Sequence, residues 1–335
     1  MNDEFECELY LKKEFLQFTG SFKERGARYT LMQMDPKQKK IGVVAASAGN
    51  HALGLAYHGK QLGIPVTVVC PTFAPLMKIQ KCRKLGANVI VHGQNFDDAK
   101  FHALKLGREN NLLYVNGFDH PCIIAGQGTC GLEILEDLPD VDAVLIPVGG
   151  GGLISGVALA IKSLKPECEV IGIESENSCG FSESLKAGHP VKVVNKPSLA
   201  DGLGVAHIGP NSFKTASKYI DRMVTVSEDF IALAILRIVE LEKAVVEGAG
   251  VTGIAALLEN KLPHLKGKKV VCILSGGNID TSILGRCLDR GLAADGRLMV
   301  SFTLNFYKTR VGSKFKVHSK KRLSLKEQVK NNFEL

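Results

Sequence analysis

The chain has 335 residues, 45% of them apolar and 35 of them glycine, with a formal net charge of +8. This length and composition exclude a disordered or fibrous chain and leave room for two domains with separate cores. Beyond residue 300, nine Lys/Arg stand against two Glu, so seven of the eight net charges belong to a terminal tail. The near-neutral body argues against a nucleic-acid partner.

Residues 20–27 read Gly-Ser-Phe-Lys-Glu-Arg-Gly-Ala and set Lys23 between a Gly-Ser turn and a helical stretch. A lysine held there over a pocket is partly desolvated and reactive toward a carbonyl, although the octapeptide alone reads first as a solvated surface lysine near a helix start. A strand is predicted over 41–46, ending in Ser47, Ala48, Gly49, Asn50 and His51, with a helix over 51–62. Strands follow over 65–70 and 88–92, with helices over 77–85 and 97–110. A fully apolar strand over 142–148 runs into Gly149, Gly150, Gly151 and Gly152, which open a helix over 153–164. The last strands are 169–174, 224–226 and 269–274, the final one ending in Ser275-Gly276-Gly277-Asn278 before a helix from about 280.

Continuous apolar strands separated by helices predict parallel sheets covered on both faces. The stretch 41–118 holds three strands and three helices and forms one βαβ unit, and the remainder forms a larger α/β unit. Nine cysteines without a Cys-x-x-Cys pair read as buried thiols in a reducing compartment. The first 20 residues lack the apolar segment of a secretory signal, and Pro147 and the glycine run interrupt the longest apolar stretch. These features predict a cytoplasmic protein without a membrane span.

Four successive glycines between strand and helix let backbone N–H groups converge on one anion, with the helix dipole behind them. No Gly-Lys-Ser/Thr follows and the spacing is not Gly-x-Gly-x-x-Gly, so the run is a phosphate cup of neither nucleotide type. The Ser47–His51 loop suits a carboxylate, and the Asn50 amide can donate to a phenolate-type oxygen; an ordinary helix N-cap also explains this serine. A Ser275 hydroxyl facing a pyridine nitrogen would leave that nitrogen unprotonated, while a simple strand-end turn is the plainer alternative. Taken together, the lysine, the two small polar loops and the cup describe a site for pyridoxal 5'-phosphate.

In order and spacing these motifs resemble those of the fold-type II pyridoxal phosphate enzymes, in the threonine/serine dehydratase (ammonia-lyase) branch that includes serine racemase. The resemblance runs from about Leu9 to Leu298. It implies a two-domain, tryptophan synthase β-like α/β fold: a large domain from 1–40 and 120–298, a small domain over 41–119, and a divergent basic tail over 299–335. It also implies that Lys23 carries the cofactor and serves as the base, and that Phe22 packs beside the ring. Asn50 would meet the ring hydroxyl, Gly149, Gly150, Gly151 and Gly152 the phosphate, and Ser275 the pyridine nitrogen. Ser47, Ala48, Gly49, Asn50 and His51 would hold the substrate carboxylate. The implied reaction turns L-threonine or L-serine into 2-oxobutanoate or pyruvate plus ammonia, in a homodimer.

Several positions depart from the family pattern. Members carry some tens of residues before the lysine motif, so a piece of the large domain is expected to be missing. Residues 287–298 resemble the run into a regulatory ACT domain, which 301–335 does not continue. Leu53 stands where many relatives have Gln. Glu174 matches one acidic residue of the branch's metal site, but Gly180 replaces the second carboxylate of serine racemase, leaving a monovalent or divalent cation at Glu174 as an expectation. Ala48 replaces a serine whose hydroxyl reprotonates the substrate from the face opposite the lysine, so elimination without efficient racemisation is expected. A serine racemase-like enzyme and an inactive pyridoxal phosphate-binding paralogue are the alternatives. A β-replacing relative such as cysteine synthase would carry Thr-Ser-Gly-Asn-Thr in this loop.

Overall fold

The computed structural model describes residues 5–298 except Ala48 and Pro75. Short runs rich in Val, Ile and Ala form its strands: β1 (Glu8–Lys12), β2 (Val43–Ala46), β3 (Val66–Cys70), β4 (Asn88–Val91), β5 (Leu113–Tyr114), β6 (Ala143–Pro147), β7 (Glu169–Ser175), β8 (Arg222–Val226) and β9 (Lys269–Ile273). They make two sheets, one ordered β1-β9-β6-β7-β8 and the other β4-β3-β2-β5. Every pairing within them is parallel.

Both faces of each sheet are covered, which is why the central strands read as continuous apolar runs rather than alternating ones. In the larger sheet, Leu145, Ile171 and Cys272 enter one core. Their neighbours Ile146, Val170 and Val271 enter the core on the opposite face. The smaller sheet repeats the division, with Val43 and Val68 on one side and Val44 and Val69 on the other. This is the two-residue side-chain period of a strand at work.

Two strands escape the sequence pattern. β1 is an edge strand whose Glu-Leu-Tyr-Leu-Lys alternates, and β5 has only two residues, aligned by Val43↔Leu113 and Val44↔Tyr114. The smaller sheet therefore has four strands where three are predicted. The helix Pro121–Asp137 is also unannounced, because Gly126, Gly128 and Gly131 read as breakers. Packing explains them. A Cβ on Gly126 would lie 2.6 Å from the Gly26 Cα, and one on Gly131 would lie 3.0 Å from the Val157 carbonyl. The glycines let three helices approach backbone to backbone.

The helix Lys23–Gln33 joins the two units. Its Ala27 and Leu31 share a core with Val43 and Leu53 of the smaller unit and with Ile123 of the helix Pro121–Asp137. Among the described residues no helix is long and apolar enough to cross a membrane. The loops that leave β2, β6 and β9 at their carboxyl ends all reach one cleft, the usual location of a ligand site in open parallel sheets.

Candidate active site

Lys23 opens its helix, and the loop before it is tied to the loop leaving β9. Phe22 N–H donates to the Ser275 carbonyl at 3.0 Å and Gly277 N–H to the Gly20 carbonyl at 2.9 Å. Gly20 takes the left-handed φ of +79° that this crossing needs. The residues after Lys23 are pinned as well. The buried Glu24 carboxylate accepts from Thr19 N–H, and Arg25 pairs with Glu14 at 2.7 Å and Glu133 at 2.6 Å. With both flanks fixed, the Lys23 side chain is left to enter the cleft, where Nζ donates to the Gly117 carbonyl at 2.6 Å. Burial lowers its pKa to about 8, against a smaller upward pull from Glu247.

The glycine run leaves β6 and starts the helix Gly152–Leu164. Side chains have no room here. A Cβ on Gly150 would overlap the Phe118 ring, one on Gly152 would lie 2.5 Å from the Phe118 carbonyl, and one on Gly149 would lie 3.0 Å from the Leu203 Cα. Gly151 adopts φ +93°. Four glycines are thus required by sterics and conformation together, and they face the same cavity as Lys23.

Asn50 is the first residue of the helix Asn50–Leu62. Its Nδ2 donates to Glu247 Oε1 at 2.8 Å, and its Oδ1 accepts from Asn278 Nδ2 at 2.8 Å. His51 is buried, with Nε2 against the Val115 carbonyl at 3.0 Å. Burial, then the nearby Lys23 charge, push its pKa down to about 3, so the ring is neutral and Nε2–H is the donor. The Ser47 hydroxyl accepts from Gly49 N–H at 3.2 Å, closing the turn between strand and helix.

A cavity of about 320 Å³ brings these groups together. Phe22, Lys23, Ser47, Gly49, Asn50, His51, the glycines 149–152 and Ser275 all line it. Ala48 lies outside the described residues. Glu174 does not line the cavity. It is buried at the end of β7, where its carboxylate accepts from Phe181 N–H at 2.7 Å, Ser182 N–H at 3.0 Å and Ser182 Oγ at 2.5 Å, capping the helix Gly180–Ala187. Among the described residues no group of three or more His, Cys, Asp or Glu is placed to hold a metal ion.

Sequence reasoning missed Glu247, which lines the cavity with 8% of its surface exposed. Burial first, and then the Asp201 charge, raise its pKa to about 7. The one sequence signal was an acid between an apolar run and Gly248-Ala249-Gly250, a weak pattern by itself. Gly117 was missed too, because it acts through its carbonyl, which any residue possesses.

These residues fit pyridoxal phosphate. An anion finds a concavity that no side chain can enter, a carbonyl carbon finds an enclosed amine, and a ring finds hydroxyl and amide partners at its edge. Two parallel sheets closing on such a cavity make this an α/β enzyme of fold-type II. The family model described as pyridoxal-phosphate dependent enzyme matches residues 1–276, and the chain belongs to that family. It is 52% identical over 290 residues to an L-threonine ammonia-lyase of Thermotoga maritima, covering 87% of this chain and 72% of the relative. The solved structure of the processed form of threonine deaminase isoform 2 from Solanum lycopersicum superposes with a TM-score of 0.83 at 39% identity, over 86% of this chain and 84% of that one. Serine racemase from Dictyostelium discoideum superposes with a TM-score of 0.77 at 35% identity, over 82% of this chain and 88% of that one.

Proposed function

We propose that this protein is a pyridoxal phosphate-dependent ammonia-lyase that converts L-threonine, L-serine or both into 2-oxobutanoate or pyruvate and ammonia. The carrying observation is the Lys23 amine, enclosed beside the glycine cup with a pKa lowered to about 8. The threonine ammonia-lyase and threonine deaminase named above support the substrate class.

When bound, the cofactor supplies an electron sink that renders the α-proton of an amino acid acidic. The chain's own residues do the rest. Lys23 would carry the cofactor, and its amine, when free, would take the α-proton at Nζ; its lowered pKa keeps part of it unprotonated near neutral pH. The glycines 149–152 would hold the phosphate through backbone N–H groups and the dipole of the following helix. Phe22 would pack beside the ring, the Asn50 amide would hold the ring oxygen, and the Ser275 hydroxyl the ring nitrogen. The loop Ser47, Ala48, Gly49, Asn50 and His51 holds the substrate carboxylate, and neutral His51 adds no charge to it.

Ala48 has no exchangeable side-chain proton, so only Lys23 returns a proton to the substrate, on one face. This favours elimination over the racemase alternative. We assign the large domain to 1–40 and 120–298 and the small one to 41–119, assembled as a homodimer in the cytoplasm. A monovalent or divalent cation near Glu174 would need ligands beyond that already committed carboxylate.

Purified protein supplied with the cofactor should release 2-oxo acid from L-threonine or L-serine, without D-serine accumulating on chiral chromatography. Borohydride should fix the cofactor on the peptide containing Lys23. Absence of 2-oxo acid with both amino acids, or labelling of another lysine, would overturn the proposal.

A further inference from the structure

The Asn50 amide is held from both ends. Asn278 spends its two N–H groups on the Thr19 carbonyl at 2.6 Å and Asn50 Oδ1 at 2.8 Å, while its own Oδ1 accepts from Lys81 Nζ at 3.1 Å. Asn278 is therefore a donor toward Asn50, and the facing Asn50 atom must be its oxygen. At the other end Glu247 Oε1 lies 2.8 Å from Asn50 Nδ2 and accepts. An amide nitrogen carries two N–H groups. One goes to Glu247; the second finds no acceptor among the described residues, on a side chain that lines the cavity.

We propose that Glu247 is a positioning residue, which holds the Asn50 amide in the one orientation that presents an N–H to the cofactor. The inference rests on the reading that Asn50 meets the ring oxygen. The loop leaving β9 is shaped around this pair. Glu247 N–H donates to the Gly276 carbonyl at 3.0 Å, and a Cβ on Gly276 would lie 2.5 Å from Glu247 Oε1 and 3.2 Å from Asn50 Nδ2. Asp201, Lys78 and Lys23 are the charged groups acting on this carboxyl. Without the acceptor, the amide keeps only its tether to Asn278, and the inward N–H loses its fixed direction. An N–H facing a phenolate-type oxygen favours its anionic form, and losing it shifts the bound ring toward its neutral O–H form.

The test is a double-mutant cycle on the holoenzyme, reading cofactor affinity and the ratio of the long- to short-wavelength absorbance bands. Glu247→Ala should weaken cofactor binding about tenfold, the lower end of what losing partners of metal-ligating groups costs, and should diminish the long-wavelength band. Glu247→Gln keeps an acceptor and should preserve the band ratio, a rescue that a merely space-filling role would not require. In an Asn50→Ala background, Glu247→Ala should have no further effect on either readout. If Asn50→Ala changes both readouts and Glu247→Ala changes neither, the inference falls and the reading of Asn50 stands. If Asn50→Ala itself changes neither, the reading of Asn50 falls. Should Glu247→Ala fail to fold, Glu247→Met removes the acceptor while keeping most of the side-chain volume, and wild-type readouts from that variant would equally overturn the inference.

Discussion

Lys23 stands between two opposing influences: burial lowers its pKa to about 8, and the Glu247 charge offsets part of that shift. The neutral amine is the reactive form, so capture of pyridoxal phosphate by cofactor-free protein should accelerate about tenfold per pH unit below 8 and level off above it. Stopped-flow absorbance would follow this, and an inflection near 10 would mean a solvated amine. His51 and Glu247 bias stability in opposite ways. The folded-state pKa of His51 is depressed from 6.5 to about 3, so its contribution is present above 6.5 and fades as pH falls toward 3. That of Glu247 is raised from 4.5 to about 7, so its contribution is full below 4.5 and is lost as pH rises through 7. In urea titrations of the cofactor-free protein, Glu247→Gln should therefore gain on the parent between pH 4.5 and 7. A constant difference across that window would contradict the assignment.

Among the elements, the helix Lys23–Gln33 and the helix Pro121–Asp137 meet at Gly26 and Gly126. A Cβ on Gly126 would lie 2.6 Å from the Gly26 Cα and 2.7 Å from the Arg25 carbonyl. Backbone cannot yield as a flexible side chain does, so Gly126→Ala should cost about 1–3 kcal/mol, the range for overpacked cores. It should also reduce turnover by displacing the helix that begins at Lys23. A variant with parental melting temperature and kcat would show that the crossing has slack. The strand–helix turn at Gly149, Gly150, Gly151 and Gly152 has a different sensitivity. Gly150→Asp puts bulk against Phe118 and a negative charge in the concavity, so pyridoxal phosphate affinity should collapse in a fluorescence titration. Parental affinity would remove the cup assignment.

At the scale of the whole molecule, the cavity is closed by contacts from both units. Asn50 and Lys81 come from the smaller unit, and Glu247 and Asn278 from the larger one. Away from it, a groove of about 610 Å³ lies along the helices Pro121–Asp137 and Gly152–Leu164, with Leu132 42% and Leu159 39% exposed on its walls. The helix Gly152–Leu164 begins in the glycine turn and the helix Pro121–Asp137 packs on the Lys23 helix, so a partner on this groove would brace both together. We expect a homodimer in sedimentation equilibrium, dissociated by Leu159→Glu. An active monomer, or a dimer indifferent to that change, would place the interface elsewhere or abolish it.

The strands β2, β3, β6, β7 and β9 were legible because a strand buried on both faces must be apolar throughout, and the helices over 51–62, 77–85, 97–110 and 153–164 because each follows a polar or glycine-rich strand end. The three loops now found around one cavity were legible for a related reason: small residues at strand ends are costly unless the backbone itself has work there. Alternation at a sheet edge and a two-residue strand carry too little pattern, so β1 and β5 emerged only from their pairing. Glycines in the helix Pro121–Asp137 looked like breakers until their opposing backbones came into view. Lys23 is 94 residues from the carbonyl that holds it, and Asn50 is 197 residues from Glu247. Such pairs leave no periodicity in the chain, because hydrogen bonds depend on distance in space while local sequence pattern reports only which face a residue turns toward the core. The sequence alone thus determined the layered α/β class and the chemistry of the loops, whereas strand order, the buried Glu247 and the orientation of the Asn50 amide were decided only by the tertiary structure.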